Sequence, residues 1–362
     1  MTTDAHAAAR AFDPARLSMA RELAGLRRHD LAEAIAGHAA TISQYELGQA
    51  RPTAETLERC AERLGVGVGF FSSGRPHLRL DTAHAHFRSL RATTAAQRGR
   101  ALAHVELLWE VANALDGVVE LPRIDLGLPL GLQHGDAAHN ARAVRKAWGV
   151  HSGPVAHLVR NLESRGVVVS RLPSTIGTSV EAFSSALHGR PMIVLTEQQD
   201  ALRQRFSVAH ELGHLLLHPD AAPGSRKHES EADAFAAEFL MPAEEITETF
   251  PARADLTALK ELSDSYGVSV SALAARGRSL GLLTDAAHRR LLTTITKLGW
   301  RTAEPVDREH SGERPELLSR AADLAGEHGL PLSALAVCLH VDVATLRGLV
   351  GFTEARPRLR LV

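Results

Sequence analysis

The run His210-Glu211-Leu212-Gly213-His214 constrains this chain more than any other feature. It lies within Phe206–Pro219, FSVAHELGHLLLHP. Apolar residues recur with helical spacing through Ser207–Leu217, and Pro219 cannot continue a helix. Residues four apart share one helical face, so both imidazoles can bind one metal ion. The glutamate directly after the first histidine can then face a water held at that ion, which is the minimum apparatus for metal-assisted hydrolysis. Gly213 is a poor helix former, which points to close packing at that position. The competing reading is a core helix whose two histidines are merely satisfied by neighbours.

Zinc in hydrolases usually has three protein ligands and one water, so a third ligand is expected downstream. Glu229–Pro242 reads ESEADAFAAEFLMP. Its apolar positions Ala232, Phe235, Ala236, Phe239 and Leu240 predict a second amphipathic helix. Glu229 and Asp233 are four apart and share a face. With Glu229 as ligand, Asp233 lies one turn on, where it can accept a hydrogen bond from the other ring nitrogen of His210 and fix its tautomer. Glu231 points about 200° away from Glu229 on an ideal helix, so the two cannot serve the same ion. Glu229 is preferred because it alone has the i+4 carboxylate. His218 extends the His210–His214 row, but the face has drifted by about 80° over eight residues. A place at the helix end or pocket edge suits it better than ligation. His228 can serve the transition-state oxyanion or be an exposed loop residue. Tyr266 is a second oxyanion candidate.

Arg205–His218 and then Glu229–Pro242, ending in FLMP, resemble the ImmA/IrrE family of metallopeptidases. Trp148–Val169 (WGVHSGPVAHLVRNLESRGVVV) and Arg190–Thr196 (RPMIVLT) resemble it too. The resemblance implies a zincin-like α+β domain with Zn2+ held by His210, His214 and Glu229, and Glu211 as the catalytic base. Family members cleave, or are thought to inactivate, a transcriptional repressor. Forms with an N-terminal helix-turn-helix of the XRE type are common.

Phe12–Gly74 reads as five short helices. Asp13-Pro14 is a helix start. Helices follow at about Arg28–Ile35, Ala39–Leu47 and Glu55–Leu64, and Gly65–Phe71 closes the unit. The turn Ala36-Gly37-His38 suits a helix-turn-helix. The spacing from Leu31-Ala32 through Ile42-Ser43 and Tyr45-Glu46 to Gly48 and Pro52 resembles the XRE family. That resemblance places the third helix in the DNA major groove. It implies base contacts from Ala39, Ala40, Thr41 and Gln44, and phosphate contacts from Arg28 and Ser43. Gln44 can pair with adenine, and the alanines can touch thymine methyls. Phe12–Pro76 holds eight Arg and eight Asp plus Glu, a weak charge balance for a DNA binder. The stretch Arg75–Arg100 adds six Arg against one Asp. The alternative is a protein-interaction module on the same fold.

Arg98–Leu121 predicts a long amphipathic helix between the two halves, and Pro122–Gly135 a connector. Asp136–Trp148 and Val155–Arg165 read as helices, and Val167–Leu172, Ser179–Leu187 and Met192–Thr196 as strands. Ser179–Leu187 is a candidate edge strand for an extended substrate. Leu256–Leu283 and Glu316–Val350 look like further helix-turn-helix pairs used for packing. The expected architecture is α+β and mostly helical. It runs as a disordered tail (1–11), helix-turn-helix domain (12–75), basic stretch, bridging helix and linker (76–135), metallopeptidase domain (136–284) and C-terminal helices (285–362).

The formal net charge of -1 argues against a global field for nucleic acid or membrane. No apolar run is long enough to span a bilayer, and no signal peptide is visible, so a cytoplasmic protein is expected. Cys60 and Cys338 form no redox or metal motif and read as buried small hydrophobes. The combined expectation is a DNA-binding regulator with zinc endopeptidase activity on a repressor or other regulatory protein. A homodimer is compatible with this. The rivals are a DNA-binding regulator whose zinc is structural or sensory, and an antitoxin-like binding module.

Overall fold

The computed structural model describes residues 2–74, 86–87, 94–129, 136–172, 182–186, 189–196, 200–218, 225–253, 255–301, 304–305 and 313–351. The N-terminal unit comprises α1 (Thr2–Arg10), α2 (Pro14–Leu23), α3 (Arg28–Ala34), α4 (Ala39–Glu46) and α5 (Ala54–Leu64). A 3-10 turn at Val68–Ser72 closes it where the sequence predicts a short helix. Asp13 accepts a hydrogen bond from the Ala15 amide, and Pro14 occupies the first turn of α2, as its fixed φ favours. Leu17, Leu31, Ile42, Leu57, Phe70 and Phe71 fill the core with at most 1 % exposure.

The first eleven residues correct one expectation. Instead of a disordered tail, Thr2–Arg10 form a helix that packs on α5 and the 3-10 turn. Alanine is the best helix former, and Ala5 and Ala8 are buried, so a weakly apolar segment gains a partner that its composition does not reveal.

The strand β1 (His86–Phe87) is followed by α6 (Ala95–Asp116), a 22-residue helix about 33 Å long. Thr94 and Gln97 cap its start reciprocally. α6 is the beam of the molecule. Arg16 of α2 makes a buried ion pair with Glu110 at 2.8 Å. Later helices and the sheet rest on the other sides of α6.

Next come α7 (Ala137–Ala147) and α8 (Leu158–Ser164), then β2 (Val168–Leu172), β3 (Ala182–Ser185) and β4 (Met192–Thr196). The sheet order is β1-β3-β4-β2, with β2 parallel to β4 and the other pairs antiparallel. Side chains alternate faces along a strand, and here the two faces belong to different cores. Val168, Leu172, Phe183, Met192 and Val194 join the core of the N-terminal unit and α6. Val167, Val169, Ala182, Ile193 and Leu195 join the core of the second half.

That second half is completed by α9 (Ala201–Leu217), α10 (Arg226–Leu240), α11 (Ala243–Thr249), α12 (Leu256–Tyr266), α13 (Val270–Ser279) and α14 (Asp285–Lys297). α15 (Leu317–Glu327), α16 (Leu332–Leu339) and α17 (Val343–Val350) return to α6 and β2. Residues after 285 therefore split between both cores. Cys60 is buried as expected, whereas Cys338 is exposed, because α16 turns Leu335 and Ala336 inward instead.

Two carboxylates stitch the return. Glu313 accepts from the Leu158 and Val159 amides at the start of α8 and pairs with Arg205 of α9. Glu163 of α8 accepts from the Glu316 and Leu317 amides at the start of α15. Burial pushes the Glu163 carboxyl up to about 7, the amide hydrogen bonds opposing it.

Candidate metal centre

α9 and α10 cross at Gly213. A Cβ there would lie 3.2 Å from the Ala232 Cα and the Phe235 ring. A Cβ at that distance would require the neighbouring helix to give by a few tenths of an ångström, and glycine avoids this, which answers why one sits mid-helix. The crossing sets the His210–His214 face of α9 against the Glu229–Asp233 face of α10.

His210, Glu211 and His214 have no solvent exposure. The His210 and His214 Nε2 atoms are 3.1 Å apart. Glu229 places Oε2 3.4 Å from His210 Nε2 and Oε1 3.5 Å from His214 Nε2. Ligand atoms bonded at about 2.0–2.1 Å to a tetrahedral zinc lie about 3.3–3.4 Å apart. The three protein atoms have the right chemistry and spacing for such an ion. Asp233 Oδ1 sits 2.8 Å from His210 Nδ1. It accepts the Nδ1 proton and leaves Nε2 aimed at the Glu229 carboxylate.

Glu231 turns away, as its helical phase requires. It lies 3.1 Å from His218 Nε2 and 3.7 Å from Lys227 Nζ. His218 caps the C-terminus of α9. His228 is not a loop residue but lies half-buried in the first turn of α10, stacked on His218 with ring centroids 4.2 Å apart. Tyr266 sits elsewhere. Its hydroxyl donates to Glu245 at 2.9 Å, and burial pushes it up to about 12.

The sheet supplies a residue that sequence reasoning overlooks. Ser184 shares the Ala182 face of β3 and looks onto α9. Its hydroxyl donates to Glu211 Oε2 at 2.7 Å, and both side chains are fully buried. Period-2 alternation from Ala182 is the signal that points there. The expected edge strand is corrected too. The described part of Ser179–Leu187 is Ala182–Ser185 with Ala186, and its outer edge is taken by β1, His86 pairing with Ser184 and Phe87 with Phe183. Residues 179–181 and 187 lie outside the described residues, as does most of the basic stretch 75–93.

Behind the centre, Arg205 anchors α9. It donates to the Gly267 and Val155 carbonyls at 2.8 and 2.6 Å and pairs with Glu313.

In the N-terminal unit, α3 and α4 form the helix-turn-helix pair. Ala39, Ala40 and Gln44 are exposed along α4, and Thr41 and Ser43 are half-buried beside them. Arg28, half exposed, reaches Glu46 at 2.6 Å, and Arg21 shares that buried carboxylate. The sequence-predicted contact residues thus share one region, with one cation already leaning on an acid.

Two family models match the chain. Residues 17–71 match the helix-turn-helix family. Residues 162–277 match the IrrE N-terminal-like domain, a peptidase family. The chain joins a helix-turn-helix of the XRE type to an ImmA/IrrE-like, metallopeptidase-type domain. Among curated proteins, none matches it. Among the described residues, no helix is long and apolar enough to cross a membrane.

Proposed function

We propose that this protein is a cytoplasmic transcriptional regulator with zinc-dependent endopeptidase activity, acting on a repressor or other regulatory protein. The observation that carries this is the triangle of His210, His214 and Glu229 atoms at 3.1–3.5 Å, with the buried carboxylate of Glu211 on the same helix. Zinc held there by the three residues would supply Lewis acidity. Glu211 would take a proton from the attacking water as its oxygen bonds to the carbonyl carbon, and give that proton to the amine nitrogen as the peptide bond breaks. Ser184 holds Glu211 during the transfer, and Asp233 keeps His210 in its ligating tautomer. The helix-turn-helix delivers the enzyme to DNA or to a DNA-bound partner.

Incubation of purified protein with candidate repressors tests the proposal. Glu211→Gln should keep its zinc and lose cleavage by a factor of 100 or more, in the range of about 10²–10⁴ typical for a general base. Normal cleavage by Glu211→Gln would overturn it.

One observation favours a second reading, a DNA-binding regulator whose zinc is structural or sensory. The outer edge of β3, where an extended substrate would pair, is already paired by His86–Phe87. Under this reading zinc shifts stability or DNA affinity, and no substrate is cut.

A further inference from the structure

A second cluster of metal-ligating side chains lies at the other end of the same helix crossing. His218, His228 and Glu231 each offer one donor atom, and these atoms lie within 4.8 Å of one another. None of the three serves the first triad. His218 Nε2 is 3.1 Å from Glu231 Oε2. His228 Nδ1 is buried and has no hydrogen-bond partner among the described residues. A buried imidazole nitrogen without a partner is unfavourable, a penalty that a bound cation would remove. Lys227 is 3.7 Å from Glu231 and mostly exposed, so it leaves the inner side of the carboxylate open to the histidines.

We propose that His218, His228 and Glu231 form a second divalent-cation site, of the two-imidazole, one-carboxylate type suited to zinc. Two nitrogens and one oxygen are the donor set of open zinc sites, and they disfavour calcium and magnesium, which take oxygen ligands. Binding turns the two imidazoles out of their stack, whose rings are inclined by 22°, so that both ring planes point at the ion. Side-chain rotation also closes the 4.8 Å spread to the roughly 3.3 Å of a tetrahedral edge. The ion would join the C-terminal end of α9 to the first turn of α10, and so brace the segment that presents Glu229. Because no ligand is shared, each site can be emptied by substituting its own residues.

Zinc titration of chelator-stripped protein decides the matter, with bound equivalents counted by elemental analysis and the fold checked by circular dichroism. Wild type should take two equivalents. His228→Ala and Glu231→Gln should each take one, and Glu229→Ala should also take one. Glu231→Gln preserves side-chain size and serves if His228→Ala fails to fold. A single wild-type equivalent that only Glu229→Ala removes would sink the second site and leave the proposed hydrolase centre standing. A single equivalent that only His228→Ala removes would do the reverse. Two equivalents untouched by changes at 218, 228 and 231 would also overturn the proposal, and none in wild type would overturn both sites.

Discussion

The hydroxyl of Ser184 on β3 donates a 2.7 Å hydrogen bond to Glu211 Oε2 on α9, and both side chains are fully buried. A carboxylate with one oxygen held has a fixed direction for the other. A hydrogen bond to an ionised group is worth about 1.5–3 kcal/mol, and most of that appears as positioning of the proton acceptor here. Ser184→Ala is therefore expected to lower kcat about tenfold to a hundredfold with zinc content and KM little changed. Ser184→Thr, which keeps the hydroxyl, should recover much of the rate. Equal loss in both variants would show that only packing matters at this position.

Gly213 lets α9 and α10 touch. An alanine methyl would meet the Ala232 backbone at 3.2 Å, and a backbone cannot rotate aside. Overpacking of this kind costs about 1–3 kcal/mol. Gly213→Ala should lower the midpoint of denaturant unfolding. It should also weaken zinc binding at least tenfold, because Glu229 and Asp233 ride on the displaced helix. Unchanged zinc affinity in a destabilised variant would mean that α10 adjusts as a rigid unit.

Under the proposed DNA binding, exposed Gln44 and Arg28 are expected to have separable roles. Gln44→Ala should relax discrimination at one base pair by about 1–3 kcal/mol. Arg28→Ala should weaken binding evenly across sequences and reduce the salt slope by about one. Arg28 must leave Glu46 to reach a phosphate, so Glu46→Gln should strengthen non-specific binding modestly. Selections from random DNA and salt titrations of affinity would measure these effects, and equal affinity of wild type and the three variants for every duplex would refute the assignment.

Glu163 makes stability depend on pH. Its ordinary value is 4.5, and burial raises it to about 7 in the folded chain. A raised folded value means that its contribution is complete below about 4.5 and declines as pH climbs through 7. Glu163→Gln keeps an acceptor for the Glu316 and Leu317 amides without the ionisation. The stability of the variant relative to wild type should therefore rise between pH 4.5 and 7 and level off above. Paired urea melts across that range would show it, and a pH-independent difference would contradict the burial of this carboxyl.

What the sequence reveals about the centre is local. His210, Glu211 and His214 are legible because 100° per residue and zinc chemistry both act within one turn. The same rotation separates Glu229 from Glu231 without any structure. Ser184 and the β1 pairing are not legible, since they depend on which strand lies over α9. Glu313 is hidden for a related reason. A lone acidic residue 108 positions from Arg205 carries no local mark of burial. The α1 helix shows how a weakly apolar segment escapes notice until its partner is known, and Cys338 shows that residue type does not fix which way a short helix faces.

The exchange of carboxylates between Glu163 and the start of α15, and between Glu313 and the start of α8, makes the peptidase half a borrower. A chain stopped after residue 284 would leave the Arg205 guanidinium sealed in the interior with its counter-charge removed. Such a charge costs several kcal/mol to keep dry. Natural shuffling or laboratory grafting of the peptidase-like unit would thus have to carry the far C-terminal helices with it, and those helices bring α6 and the helix-turn-helix unit along. In this chain the two family-matched units are inherited as a single object.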